Sequence, residues 1–340
     1  MSKRYNDHWT RREFLGAAAL AGTGAFWGLC SDSIAAEPPP ETKRIRLIRV
    51  PSTCHTPQYF AEDLLRGEGF ADVEYVKRGS SADISPTLAA GEADINMNFS
   101  GPVLLNLDAG HPIVVLAGVH VGCFELFGGP GIRTVRDLKG KTVAVDTMGS
   151  SQHVFLSSML ANVGVDPRRD VRWVTHLSAK HIELLATGKI DAVLSFAPWP
   201  QDFRERKIGR LIVNSTTDRP WSHYFCCMLV GNRDFVQRHP VAVKRAMRAI
   251  FKAANVCTVE PERAARFMVD KGIVSRYDHT LQTIQELPYD RWGDYDPEDT
   301  LRFYALRLHE AGMVKSSPQK LIAQGTDWRF LRELKKELKA

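Results

Sequence analysis

The sequence predicts an α/β fold of two similar lobes joined by a hinge that the chain crosses twice. Three observations carry this reading. Strand-like and helix-like runs alternate from residue 44 to residue 215, the pattern of βαβ units with a largely parallel sheet. One block occurs twice, as "LAAGEADINMNFS" at residues 88–100 and "LATGKIDAVLSFA" at 185–197, an internal repeat that implies two units of similar build. A further apolar strand, "HYFCCMLVGNRDFV" at 223–236, comes after the second series has closed and is followed mostly by helical patterns. A late return of the chain to the first lobe accounts for it.

In order, "RIRLIRV" reads as a strand, "PQYFAEDLLRGEG" as a helix, "DVEYVKRG" as a strand and "SADISPTLAAG" as a helix. The strand "DINMNFS", the helix "GPVLLNLDAG" and the strand "PIVVLAGVHV" complete the first series. The second runs "KTVAVDT", "SSQHVFLSSMLANVG", "VRWVTH", "SAKHIELLATG", "DAVLSFA", "PWPQDFRERKIG" and "RLIVNS". In each copy of the repeat a helix ends at a glycine, Gly91 or Gly188, suited to a left-handed cap. An aspartate follows three residues later and then a buried strand. The expected division is 37–125 with 225–340 as the first lobe and 126–224 as the second.

Composition places the chain among soluble globular proteins. Of 340 residues, 44% are hydrophobic and 25% charged, enough apolar material for one large or two medium cores. The net charge of +6 comes from scattered basic residues, and the tail "RELKKELKA" alternates signs like a solvated helix face, which argues against nucleic acid. A mildly basic surface favours small anionic ligands.

Residues 1–36 read as a separate object. "TRREFLGAAALAGTGAFWGL" has Arg11 and Arg12, then Phe14 and Leu15, then a run rich in Ala and Gly, followed by small residues at Ala35 and Ala36. This resembles a twin-arginine export signal. The run is too short and too diluted with glycine for a permanent span. A mature protein in the periplasm follows. Cys30 leaves with the signal, so Cys54, Cys123, Cys226, Cys227 and Cys257 remain. Their spacings show no disulfide framework, and their apolar company suggests buried free thiols.

Ligands of open α/β sheets bind beyond the carboxyl ends of the strands. Four loops would therefore face one cleft: "PSTCHTPQ", "NFSGPV", "DTMGSSQ" and "SFAPWPQ". The third is the most suggestive. Gly149, Ser150 and Ser151 stand where a strand enters a helix, whose first turn offers unpaired N–H groups and a positive dipole end. Gly149 would permit close backbone approach. A plain helix cap is the competing reading.

On the hinge block "VHVGCFELFGGPGIRTVRDLKGKTVAV", the two repeats "LAAGEADI" and "LATGKIDA", and the tail from Leu301 to Ala340, the sequence resembles the periplasmic solute-binding proteins of ABC importers for nitrate, sulfonates and taurine. That family also includes thiamine-pyrimidine binders and is related to a fungal thiamine-pyrimidine synthase. The resemblance covers the whole mature chain. It implies the bilobal periplasmic-binding-protein fold of type II, with one lobe inserted in the other. It also implies a small anionic or polar organic ligand closed between the lobes, and delivery by a monomer to a permease in the inner membrane. Carried over residue by residue, it puts Cys54 and His55, Ser100 and Gly101, Met148, Gly149, Ser150 and Ser151, Trp199 and His223 at the ligand. No catalytic residue, metal or cofactor is implied. "DTMGSSQ" carries no basic residue, so an oxyanion there would rely on backbone N–H groups and hydroxyls.

The alternative is a cofactor- or metal-dependent periplasmic enzyme related to that synthase. "HVGC" and "HYFC" both show His-x-x-Cys, and His120, Cys123, His223 and Cys226 would make a zinc-like set. Both segments read as strands, where positions three apart face opposite sides, which argues against it. His55 and His223 could serve as bases, but hydrogen bonding to ligand is the plainer role. Glu125, in the first crossover, reads as a charge-paired hinge residue; facing the cleft, it would draw an amine. Trp199 suits stacking on a ligand, and Phe99 reads as core.

The leader yields one direct expectation. Replacing Arg11 and Arg12 with Lys should leave the precursor in the cytoplasm in a fractionation experiment. Normal export of that double variant would mean a different route.

Overall fold

The structure, a computed structural model, describes residues 37–50 and 52–339. The expected export signal with Arg11 and Arg12 lies outside the described residues. Among the described residues ten strands form three sheets. β1 (Arg44–Arg49) pairs in parallel with β2 (Asp72–Lys77). β3 (Ile95–Phe99) and β4 (Ile113–Val121) flank β10 (Phe225–Asn232), which runs antiparallel to both. The third sheet has the order β7 (Arg172–Thr175), β6 (Thr142–Val145), β8 (Ala192–Phe196), β5 (Phe124–Gly128), β9 (Arg210–Asn214). Here β5 runs antiparallel to its neighbours β8 and β9.

The first two sheets are one layer interrupted by side chains. Between β1 and β3, Gln58 takes the place of a ladder rung: its Nε2 donates to the Ile48 carbonyl at 2.9 Å and its Oε1 accepts from the Met97 N–H at 2.6 Å. Asn96 Oδ1 accepts from the Ile48 N–H at 2.6 Å. A buried backbone group needs a partner, and these amides supply what a displaced strand cannot. Across that seam the order is β2, β1, β3, β10, β4. It matches β7, β6, β8, β5, β9 position for position.

The repeated block occupies equivalent places in the two layers. Gly91 and Gly188 both take positive φ, +70° and +67°. Asp94 Oδ2 accepts the Arg46 N–H at 2.7 Å, and Asp191 Oδ2 accepts the Thr142 N–H at 2.8 Å. Each aspartate thus ties its strand to the first strand of its own unit. β3 and β8 are buried along their whole length, as strands covered on both faces should be.

The largely parallel sheet expected from alternation is corrected in one respect. Each layer holds one antiparallel strand, β5 or β10, that enters from the other unit. "FELFG" reads as a crossover in sequence because it lies in the linker between two series; in the structure it is a fully buried strand. The chain changes sheets between Val121 and Phe124 on the way out and between Asn214 and Phe225 on the way back. The two passages touch. The Cys123 N–H donates to Thr216 Oγ1 at 3.3 Å, and a Cβ on Gly122 would lie 2.4 Å from that oxygen.

The helices after β10 cover the first layer. Helix Pro240–Val259 buries Ala242, Ala246, Ala249 and Ala253 among larger residues at helical spacing, a stripe that lets it lie close to helix Thr56–Phe60. Helix Pro297–Glu310 reaches across to helix Ser151–Asn162. Among the described residues no helix is long and apolar enough to cross a membrane.

The Gln58 seam is testable. Gln58→Ala leaves the Ile48 carbonyl and the Met97 N–H without partners, at ~1–3 kcal/mol for each buried orphan. Urea denaturation should show a loss of that order, and an unchanged midpoint would mean that the seam is not held by this side chain.

Candidate functional site

The carboxyl ends of β1, β2, β6, β7 and β8 open onto one cavity of about 190 Å³. The first unit contributes Val50, Gly79, Ser80 and Ser81 to its wall, and the second contributes Asp146 and Thr147, the turn Leu177–Ala179, Phe196 and Trp199. Larger hollows of about 400 and 580 Å³ lie elsewhere. One is formed by C-terminal residues around Tyr295 and Trp328. The other sits at the end of β5, which points the opposite way from β6 and β8. The first cavity alone of these has the place that a parallel sheet gives to ligands.

Hydroxyls dominate its polar side. Ser80 caps the turn Ser81–Asp83 by accepting from the Ala82 N–H at 3.1 Å. Ser81 then projects across the cleft, where its Oγ accepts the Ser151 N–H at 3.1 Å and donates to Ser151 Oγ at 3.1 Å. A second bridge joins the units nearby, from the Thr53 N–H to the Ala197 carbonyl at 3.3 Å. These contacts join the two units across the cavity. Among the described residues, the one ionisable side chain on the cavity wall is Asp146, which accepts from Gln152 Nε2 at 2.8 Å and from Ser178 Oγ, and no Lys or Arg lines it.

The residues expected at the ligand are distributed unevenly. Trp199, half-buried at the start of helix Trp199–Glu205, lines the cavity. Ser150 and Ser151 lie beside it at the entry to helix Ser151–Asn162, both fully buried. Ser150 occupies the N-cap position yet makes no capping bond, and its Oγ has no hydrogen-bond partner. Gly149 takes φ +84°, but a Cβ there would meet nothing within 4 Å. Its N–H is donated to His153 Nδ1 at 3.1 Å. Burial lowers the His153 pKa to about 4, which keeps that ring neutral and able to accept. Gly149 thus permits the turn and stands beside open space, while its amide is already used. Met148 is exposed and does not line the cavity.

Ser100 ties neighbouring strands of the first layer, and Gly101 serves the packing between units. Ser100 Oγ donates to the Phe225 carbonyl at 2.6 Å. A Cβ on Gly101 would lie 2.8 Å from Val154, so the two facing helices meet where there is no side chain. Both line a crevice of about 10 Å³ walled by Phe99, Phe124 and Phe155, which is smaller than one water. His55 is fully buried against Phe99, ring centroids 5.1 Å apart, and neither ring nitrogen has a hydrogen-bond partner. Thr53 Oγ1 is likewise buried and unpartnered. His223 is exposed on the turn Trp221–His223 and lines neither space.

Cys54 points away from the cleft. Its Sγ lies 3.9 Å from Cys227 Sγ in the interior of the first unit. The expected buried free thiols are found, since all five cysteines among the described residues are buried and unpaired, and Cys123 and Cys226 lie in the same cluster. Among the described residues two groups could hold a metal: Cys54, His120 and Cys227, and Asp202, Glu205 and His279. The second is already served by Arg276, whose guanidinium reaches Asp202 and Glu205.

Ser80, Ser81, Thr147 and Ser178 were missed by sequence reasoning. The signal was present: "GSSADIS" places glycine and two serines before a helical turn, as "MGSSQ" does. Glu125 lies outside the cavity and pairs with Arg204 at 3.3 Å, while its other oxygen is unpartnered.

A family model described as the NMT1-like family matches residues 38–269. The taurine-binding periplasmic protein of Escherichia coli (strain K12) is 27% identical over 204 residues, 59% of this chain and 62% of that one. The bicarbonate-binding protein CmpA of Synechococcus elongatus is 25% identical over 123 residues, 36% of this chain and 27% of that one. The chain thus spans between about a quarter and three fifths of these relatives' length. Among solved structures, the periplasmic nitrate-binding protein NrtA of Synechocystis PCC 6803 superposes with a TM-score of 0.73 at 16% identity, covering 88% of this chain and 90% of that one. The alkanesulfonate-binding protein SsuA of Xanthomonas axonopodis pv. citri gives a TM-score of 0.67 at 18% identity, covering 86% and 100%. These likenesses establish the periplasmic-binding-protein fold.

Glu125 generates a pH prediction. Burial, partly offset by Arg204, raises its pKa from 4.5 to about 7. The folded chain therefore holds a proton between those values that the unfolded chain releases, and stability falls as pH rises through that window. Glu125→Gln carries no such charge. Its melting temperature should gain on the wild type from pH 5 to pH 8, by an amount equivalent to ~3 kcal/mol or less. Parallel curves for the two proteins would mean that Glu125 is ionised throughout.

Proposed function

This chain belongs to the NMT1-like family, and we propose that it is the substrate-binding component of an importer for a small polar organic solute. The observation that carries the reading is the 190 Å³ cleft, whose wall is shared between two duplicated units that are bridged by Ser81 to Ser151. A ligand contacted from both sides is fully engaged only when the units close, so binding and closure are linked. Relatives carrying this fold are named for nitrate, bicarbonate, taurine and alkanesulfonates.

Within that range the wall chemistry favours a zwitterion or a neutral polar solute over a bare anion. A carboxylate, Asp146, stands among hydroxyls, with no cation among the described residues of the cavity wall. An amine would satisfy Asp146, while Ser80, Ser81 and Thr147 supply hydroxyl donors for an acidic or carbonyl group. Trp199, Leu177 and Phe196 give an apolar side for a short carbon chain or ring. The unpartnered Ser150 Oγ, beside the Ser81 to Ser151 bridge, is assigned to ligand binding.

The relatives are binding proteins, and the chain is read as a non-enzyme. A permease in the inner membrane is the proposed recipient, with the chain acting as a periplasmic monomer. A thermal-shift screen against taurine and related aminosulfonates, alkanesulfonates, nitrate and bicarbonate tests this directly. A true ligand at a hundred times its Kd should stabilise by ~2.7 kcal/mol. Trp199→Ala should weaken that ligand by ~0.5–1.5 kcal/mol or more, by calorimetry. If no solute stabilises the chain, or if Trp199→Ala leaves the affinity of a proven ligand at the wild-type value, the cleft is not the site.

A further inference from the structure

The thiol cluster lies apart from the cleft wall. Cys54, His120 and Cys227 are completely buried, and their ligand atoms all lie within 4.8 Å of one another. The Cys54 and Cys227 sulfurs are 3.9 Å apart, and Cys226 Sγ lies 3.7 Å from Cys227 Sγ. Two sulfurs on one tetrahedral zinc, each at ~2.3 Å, would be separated by ~3.8 Å. The histidine is prepared in the same sense. His120 Nδ1 lies 3.0 Å from the Val121 carbonyl, which only accepts, so Nδ1 carries the proton. That leaves the lone pair on Nε2, which is buried and has no hydrogen-bond partner. A backbone acceptor fixing the tautomer of a ligating histidine is the usual outer-shell arrangement.

We propose that Cys54, Cys227 and His120 bind one zinc-type divalent cation, with the fourth position toward Cys226. Charge supports a divalent ion. Two thiolates and a neutral imidazole cancel its charge, as burial away from water requires. His-x-x-Cys spacing opposes a metal only on regular strands. β10 has register shifts between Phe225 and Met228, and Cys227 pairs opposite His120. Such a bulge re-aims side chains, and the consecutive sulfurs of Cys226 and Cys227 end 3.7 Å apart. Cys123 leaves the strand altogether at φ +81°.

The three ligands come from the loop after β1, the end of the outgoing strand β4 and the returning strand β10. The ion would pin both ends of the two-passage connection to the first unit, without touching the solute. The ligands converge only in the folded chain, so the metal should bind with folding and resist removal.

The full chain, stripped of metal under denaturing conditions, reduced and refolded, is titrated with Co²⁺ and then Zn²⁺. Binding is read by thiolate-to-cobalt charge-transfer absorption and by metal analysis after desalting. The expected result is one ion per chain, retained in Cys257→Ser and weakened at least a hundredfold in Cys227→Ser. His120→Cys should keep the ion and strengthen the charge-transfer band by adding a thiolate, a gain that a purely packing role would not give. The proposal is overturned if the reduced, refolded chain gives no such band, if Cys227→Ser binds as the wild type does, or if peptide mapping finds Cys54 and Cys227 joined as a disulfide in the protein as isolated.

Discussion

The exchange of one antiparallel strand between two layers is the constraint on which the rest of this molecule depends. β5 and β10 each lie between two strands of the unit opposite to the one the chain has just left. Their N–H and C=O groups are satisfied there on both sides, and a buried strand cannot give those partners up. The two units are consequently welded to the passages that join them. What freedom remains lies in the few residues between Val121 and Phe124 and between Asn214 and Phe225, where Gly122 and Thr216 are in contact. The carboxyl ends of both parallel sets are thereby forced to face one another.

From that geometry the chemistry of the cleft follows. Strand ends deliver short polar loops, and helix entries deliver hydroxyls and backbone amides. In this chain most of those amides are already committed: Gly149 to His153, Ser150 to the Thr147 carbonyl and Ser151 to Ser81. Under the proposed role, recognition would fall to side chains on the wall, Asp146 and Trp199 among them. The same closeness that aligns the units also removes side chains from their contact, as at Gly101 against Val154.

Much of the fold was legible because it rests on local periodicity and on a repeat. The blocks ending in Gly91 and Gly188 announced equivalent strands, and Asp94 and Asp191 make equivalent bonds. β5 was not legible, since a five-residue strand inside a crossover differs from a linker only in whom it pairs with. The site was half legible. Trp199 and the entry at Ser150 follow from strand ends, whereas Ser81 belongs to it only because a turn from the other unit reaches over. Cys54, His120 and Cys227 are separated by 66 and 107 residues in sequence, and a bulge decides where two adjacent cysteines point. No spacing rule carries that information.

The Ser81 to Ser151 bridge has a kinetic corollary. A cleft latched by its own hydroxyl, which occupies the amide that a solute oxygen would seek, admits nothing until the latch releases. On the proposed role, uptake into the cleft would have two stages, a spontaneous opening followed by capture. At high solute concentration the observed rate levels off at the opening rate instead of climbing in proportion. Loosening the latch would speed capture and raise apparent affinity together, because a smaller share of the empty protein would be locked shut.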